Sequence, residues 1–245
     1  PGVVTGKPIV LGGSLGRTSA TGDGVAISVR EALKVKGINP QGASVAIQGF
    51  GKVGYWAALA LEKLGLKVVA VSDVKGGVTG FSDVETVARY VKEHGTVVGM
   101  PGTDALTNTE LLHLPVDVLV PAALADSITH SSAPGIKAKV IVEGANAPTT
   151  PQGDEIINDR GILVVPDILA NSGGVIVSYF EWVQDKQNFF WSADEVRENL
   201  TQILMRSISE VSETAHSKKV TWREAANMIG VGRVAQAHRL RGLYP

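Results

Sequence analysis

A chain of 245 residues is long enough for one large or two small domains, and it can bury roughly 70–75% of its unfolded surface. Charged residues make up 19% and the net charge is −1, so no basic field invites nucleic acid; the absence of cysteine excludes disulfides, thiolate catalysis and cysteine-ligated zinc. The apolar runs fall well short of the roughly 18 residues needed to span a bilayer, and no signal-peptide pattern opens the chain, so the expectation is a cytoplasmic protein with no membrane partner.

The chain begins at Pro1, without methionine, on a loop-like Pro-Gly-Val-Val-Thr-Gly-Lys-Pro segment. It is expected to be an excised piece of a longer protein, with a processed terminus as the alternative. A glycine-rich stretch, Gly12-Gly13-Ser14-Leu15-Gly16-Arg17, then leads into a helix from near Ser19 to about Lys36. Val25, Val29, Ala32 and Leu33 share one face of it, and Gly37 and Pro40 end it.

Next comes the strand Ser44–Gln48, running straight into Gly49-Phe50-Gly51-Lys52-Val53-Gly54, a G-x-G-x-x-G turn. A helical run from Tyr55 to Leu64 and a second strand, Lys67–Ser72, follow, with Asp73 at its end. This is the order a dinucleotide site requires. Gly49 permits the tight turn, Gly51 lets the backbone approach a pyrophosphate, and Gly54 lets helix and strand pack closely. The unpaired N–H groups of the new helix face the phosphates, and Asp73 lies where a carboxylate accepts from the adenosine ribose hydroxyls.

Further strands are predicted at Val116–Val120, Val140–Glu143 and Ile162–Val165, with helices at Ser82–Glu93 and Pro151–Arg160. Ser82 reads as an N-cap with Glu85 completing a capping box. Beyond Pro166 the pattern is all helical, over Gly173–Phe190, Ala193–Ser217 and Thr221–Leu240, the last two opening on capped starts. The expected fold is therefore α/β: a Rossmann-like, doubly wound, mostly parallel sheet with helices on both faces and a C-terminal helical segment. Residues 1–245 form one dinucleotide-binding domain on this reading: a lead-in and first helix over 1–40, a βα core over 41–166 and C-terminal helices over 167–245.

Several residues are candidates for chemistry. Asn146, in Glu143-Gly144-Ala145-Asn146, and Asn171, before Ser172-Gly173-Gly174, both follow apolar strands, where open parallel sheets bind ligands. Each amide can donate and accept. A turn-forming role is equally open for Asn146, whereas the glycine pair favours a functional role for Asn171. Ala122 and Ala123 end a strand and leave room for a flat ring or a ribose, or simply pack closely. Ser14 to Gly24 reads equally as a structural turn or a site. The five histidines have no ligand spacing, so no metal site is expected.

Together these pieces resemble the glutamate dehydrogenases of the glutamate/leucine/phenylalanine/valine dehydrogenase family. The resemblance runs from Lys7-Pro8 and Gly12–Arg17 through Ala20-Thr21-Gly22 and the Gly49–Gly54 turn. It continues through Val142–Asn146, Pro148-Thr149-Thr150, Pro166–Asn171 and Val177-Ser178-Tyr179-Phe180-Glu181-Trp182. It implies a cofactor site at Gly49, Phe50, Gly51, Lys52, Val53 and Gly54, with Asp73 toward the ribose. Arg17, Thr21 and Asn171 would lie near the nicotinamide carboxamide, with Ala122, Ala123 and Asn146 lining the crevice. Ser178 would hydrogen-bond the side-chain carboxylate of glutamate; without the resemblance it reads as an ordinary helix serine.

Three positions depart from the family pattern: Lys52 where asparagine is common, Asp23 where arginine is frequent, and Ser172 for a usual alanine. The resemblance further implies that the lysine and aspartate of acid–base catalysis belong to a preceding domain with no counterpart here. The chain is thus expected to bind cofactor but to carry no catalytic residues of its own and not to turn over alone. The whole enzyme would interconvert glutamate with 2-oxoglutarate and ammonia, as a homo-hexamer like its family. Asp73 favours NAD over NADP, although Lys75 offsets its charge. The alternatives are a non-catalytic regulatory subunit that senses dinucleotide, and a dehydrogenase of another amino acid.

Overall fold

The computed structural model describes residues 2–242. Residue 1 and residues 243–245, at the two ends of the span expected as one domain, lie outside the described residues. In chain order the main elements are α1 (Ala20–Val35), β1 (Ser44–Gln48), α2 (Lys52–Lys63), β2 (Lys67–Asp73), β3 (Gly76–Thr79), α3 (Val84–His94), β4 (Asp104–Leu106), α4 (Asn108–Leu112) and β5 (Val118–Pro121). They continue with β6 (Val140–Val142), α5 (Pro151–Asp159), β7 (Leu163–Val165), α6 (Asp167–Ala170), α7 (Gly173–Gln187), α8 (Ala193–Lys218) and α9 (Trp222–Arg241).

The strands form a single sheet in the order β4-β3-β2-β1-β5-β6-β7. The five strands expected from the sequence pair in parallel, because each is an apolar run with both of its faces covered. Alternate residues divide between two cores. Val45, Ile47, Val71, Val120 and Val142 face α1, α2, α3, α8 and α9, whereas Ala46, Ala70, Leu119 and Ile141 face α4 and α5. A third cluster of Ala20, Val177, Phe180, Val196 and Leu200 holds α1, α7 and α8 together.

Two further strands, β3 and β4, extend the sheet beyond β2 through antiparallel pairs, with β4 at the margin, and neither was expected. Gly76-Gly77 and the polar Asp104 hide their character, and it is the β2–β3 hairpin that recruits them. The cap of α3 falls one residue later than expected. Asp83, not Ser82, accepts the Thr86 N–H at 2.7 Å, and the Ser82 hydroxyl donates to Asp83 instead. A carboxylate offers negative charge to the helix N-terminus as well as an acceptor, so it wins the position. Capping boxes form at Ser192–Glu195 and Thr221–Glu224, and a further one at Thr107–Glu110. α7 stops at Gln187, short of the expected Phe190, where Asn188 takes a left-handed conformation (φ 51°). Among the described residues no helix is long and apolar enough to cross a membrane.

Candidate functional site

From β1 the chain moves outward to β2 on one side, and it returns to β5 on the other. The strand order therefore reverses at β1, and a crevice of about 570 Å³ opens beyond the carboxyl ends there. Gly49 has φ +97°, a conformation L side chains rarely adopt. A Cβ on Gly54 would lie 1.8 Å from the Gly49 carbonyl oxygen, so the turn and α2 touch through bare backbone. Gly51, in contrast, is exposed, and a Cβ there would meet nothing within 4 Å. Side chains cap the N-termini of α3, α4, α5, α8 and α9, whereas α2, like α1, α6 and α7, has no side-chain cap, and its N-cap residue Gly51 lines this crevice.

The remaining turn residues divide by burial. Phe50 is buried, with its ring edge-on to Tyr55 at 5.9 Å, so it offers the crevice its backbone. Lys52 is exposed and flanks an adjoining hollow with Arg89 and Lys92. Val53 packs beneath Gly144, where a Cβ would lie 3.4 Å from Val53 Cγ1 and 3.0 Å from Ala122 Cβ. Ala123 continues the same wall beside Gly49. On the crevice floor the Gln48 Oε1 is buried without a hydrogen-bond partner, a signal invisible in the sequence.

Asp73 closes β2 on the crevice wall, and its carboxylate is already engaged. Its Oδ2 accepts from the Thr96 hydroxyl at 2.6 Å and the Val97 N–H at 2.8 Å, and Oδ1 accepts from the Lys75 N–H at 2.7 Å. Burial acts to raise its pKa, but these donors outweigh it and hold the carboxyl below the ordinary aspartate value, ionised at neutral pH.

A second group gathers where α6 turns into α7. Asn171 Nδ2 donates to Asn146 Oδ1 at 2.7 Å, which joins the two amides expected in the crevice. The Asn146 turn is fixed by Ala147, left-handed at φ 46°, whose N–H donates to Asp167 Oδ2 at 2.7 Å. Gly174 leaves space for Thr21 and Arg17; a Cβ there would lie 2.5 Å from Thr21 Oγ1. Arg17 Nε in turn donates to Ser178 Oγ at 2.8 Å. Arg17 and Thr21 thus gather at Gly174, three positions on from Asn171, and Arg17 carries the cluster on to Ser178. Asp23 faces a groove between α1, α2 and α8, away from the crevice; burial raises its pKa despite a hydrogen bond from Ser19. The Ser172 hydroxyl donates to the Leu169 carbonyl.

Two ionic frames escaped the reading of the sequence. Glu143, fully buried, accepts from both Arg223 terminal nitrogens, Nη1 at 3.0 Å and Nη2 at 2.7 Å, and from the Asp167 N–H at 2.9 Å. Arg223 also reaches Asp154 at 3.0 Å, so α9 is tied to the end of β6 and to α5. Desolvation works against the guanidinium charge, but these carboxylates outweigh it and drive the Arg223 pKa up. Lys7 bonds Glu181 at 2.6 Å and Asp185 at 2.7 Å, holding the lead-in against α7. Ion-pair partners 69 to 178 positions apart leave no local spacing to detect. No group of three or more histidine, aspartate or glutamate side chains among the described residues is placed to hold a metal ion.

The model of the Glutamate/Leucine/Phenylalanine/Valine dehydrogenase family matches residues 12–242. The glutamate dehydrogenase of Thermotoga maritima is 55% identical over 248 residues, covering 100% of this chain and 59% of that protein. The cryptic catabolic NAD-specific glutamate dehydrogenase of Bacillus subtilis is 47% identical, over 99% of this chain and 57% of its own length. Among solved structures, the hetero-hexameric glutamate dehydrogenase of Thermus thermophilus in its leucine-bound form superposes with a TM-score of 0.93 at 38% identity, over 99% of this chain and 58% of that one. The chain therefore spans under three-fifths of the length of these relatives, and it belongs to the Glutamate/Leucine/Phenylalanine/Valine dehydrogenase family.

Proposed function

We propose that this chain is the dinucleotide-binding domain of a glutamate dehydrogenase, and that it holds NAD(H) at the Gly49–Gly54 turn. The observation that carries the reading is the uncapped start of α2 beside Gly51, whose missing Cβ leaves open space at the mouth of the crevice. Free N–H groups and the positive end of a helix dipole suit a diphosphate, and the Lys52 side chain adds a cation there. Asp73, ionised on the neighbouring strand, favours a ribose with free hydroxyls over one carrying a 2′-phosphate. Relatives named as NAD-specific support the same preference.

When bound, the nicotinamide would accept the hydride of glutamate or return it to the imine of 2-oxoglutarate. The protein's own part is to orient and to exclude. Asn171 and Thr21 present an amide and a hydroxyl to the carboxamide. Arg17, by bonding Ser178, keeps that hydroxyl oriented toward the side-chain carboxylate of an amino-acid substrate. In this reading the groups that move protons on the amine and on water lie in the part of the relatives that the chain does not span. The chain alone binds cofactor without turnover, and the complete protein assembles as a homo-hexamer.

The test is parallel titration of NADH and NADPH into this chain, followed by energy transfer from its four tryptophans. Saturable, tighter binding of NADH supports the site and its preference. Equal binding of both keeps the site and removes the discriminating role of Asp73, and binding of neither removes the reading. Glutamate-dependent reduction of NAD by the chain alone would overturn its assignment as catalytically incomplete.

A further inference from the structure

We propose that Thr96 is the positioning residue for cofactor choice: it holds the Asp73 carboxylate in the one orientation from which that charge excludes a ribose 2′-phosphate. The inference rests on the dinucleotide reading of the crevice. It begins with a count of acceptor positions. An ionised carboxylate has about four lone-pair sites. Thr96 Oγ1 and the Val97 N–H take both positions on Oδ2, and the Lys75 N–H takes one on Oδ1. At most one position is left for a ribose hydroxyl, so Asp73 acts chiefly as a fixed negative charge.

Thr96 is the member of this set that a substitution can remove. The other donors are backbone N–H groups and stay whatever the side chains are. Thr96 is nine-tenths buried, and its neighbour Val97 lies wholly in the core. The Val98 N–H donates to Thr96 Oγ1 at 3.2 Å, which points the single hydroxyl proton at Asp73. From the opposite side Asn108 Nδ2 donates to the Asp73 carbonyl at 3.0 Å and fixes the backbone. Oδ2 is thus held from the segment after α3, while Oδ1 is held by the turn that follows its own strand. Without the hydroxyl, Oδ2 keeps a single partner, and the side chain is free to turn toward the exposed Val74–Lys75 corner. NADPH then meets less repulsion, while NADH, which Asp73 barely bonds, is little affected.

The experiment measures dissociation constants of NADH and NADPH for the wild-type chain, Thr96→Val, Thr96→Ser, Asp73→Asn and Thr96→Val/Asp73→Asn. Thr96→Val is expected to lower the NADPH-to-NADH ratio of dissociation constants by about tenfold, the scale of one charge-assisted hydrogen bond. Thr96→Ser should restore the ratio. In the Asp73→Asn background Thr96→Val should leave it unchanged. A structural role alone would shift both constants together, and an unchanged ratio in Thr96→Val overturns the inference, as does a change that persists without the Asp73 charge. Should Thr96→Val not fold, Asp73→Glu reads the same point, because it keeps the charge and moves it off the anchor. A fall in the ratio supports the assignment and an unaltered ratio rejects it. Wild-type chain that takes up neither nucleotide removes the dinucleotide reading itself, whereas NADH binding with an unmoved ratio removes only Thr96.

Discussion

The dinucleotide turn and the frame around it hold their shapes by opposite means. Between Gly49 and Gly54 the geometry depends on absent side chains: a left-handed glycine, a helix start touching a carbonyl, an open position at Gly51. Around Asn146, Asn171 and Ser178 it depends on buried charge, with Arg223 seated on Glu143 and Asp154, and Lys7 on Glu181 and Asp185. The turn is made of consecutive residues and needs only sterics. The frame is made of residues far apart in the chain and exists only once the tertiary fold does. Damage to the turn should therefore be local and felt by the ligand, and damage to the frame should be global and felt by stability.

The largest expected effect tests the frame. Glu143→Ala strands a partly buried guanidinium and should cost about 3 kcal/mol in urea unfolding, at the lower end for a broken buried pair because Arg223 keeps Asp154. A loss below about 1 kcal/mol, the scale of an exposed pair, would mean that α9 is held by its apolar contacts alone.

Next comes the turn. Gly54→Ala drives a methyl against the Gly49 carbonyl and should cost about 2 kcal/mol and abolish NADH binding. Gly51→Ala should stay within about 0.5 kcal/mol of wild type in stability, yet weaken NADH, because only the ligand needs that space. Equal effects of the two substitutions on stability would erase the distinction drawn between them.

The lead-in tie gives a pH signature. Burial acts to raise the Glu181 pKa, but hydrogen bonds from Lys7 and the Gly6 N–H outweigh it and leave it lowered from 4.5. Bonds to Asp185 and Glu181 raise Lys7 above 10.5. A lowered acid stabilises above its unfolded pKa and a raised base below its own, so the tie is complete between those values. It is lost as pH falls through the folded Glu181 pKa or rises through the folded Lys7 pKa. Lys7→Met should lower Tm at pH 7, and the gap to wild type should narrow as pH drops below 4.5. A gap that is constant from pH 7 to acid would assign the loss to packing of the lysine stem.

The smallest effect separates neighbouring side chains. Asp83→Ala should cost about 1 kcal/mol through the lost cap of α3, and Ser82→Ala close to nothing.

What could be read from the sequence follows the same division. β1, β2, β5, β6 and β7 were legible because strands buried on both faces are uninterrupted apolar runs, and the Gly49–Gly54 turn because its glycines have fixed spacing. Gly76-Gly77-Val78-Thr79 and Asp104-Ala105-Leu106 carry no such pattern, since their pairing is imposed by the hairpin at Asp73. Asn146 and Asn171 were each legible as residues following a strand, but not their bond to one another. Arg17 and Ser178 were expected in separate roles, and the hydrogen bond that joins them spans 161 positions. Thr96 sits in a segment with no motif, and only its proton, aimed at Asp73, distinguishes it.

The edges of the sheet bear on how the protein behaves in a crowded solution. An open strand edge is a template on which another chain can add by backbone pairing, the first step toward aggregation. Here one margin is β4, three residues long with Asp104 and Ala105 exposed, and the other is β7, equally short and packed beside α5 and α9. The long apolar strands lie between them, so a passing chain meets only margins too short and too polar, or too well covered, to extend the sheet.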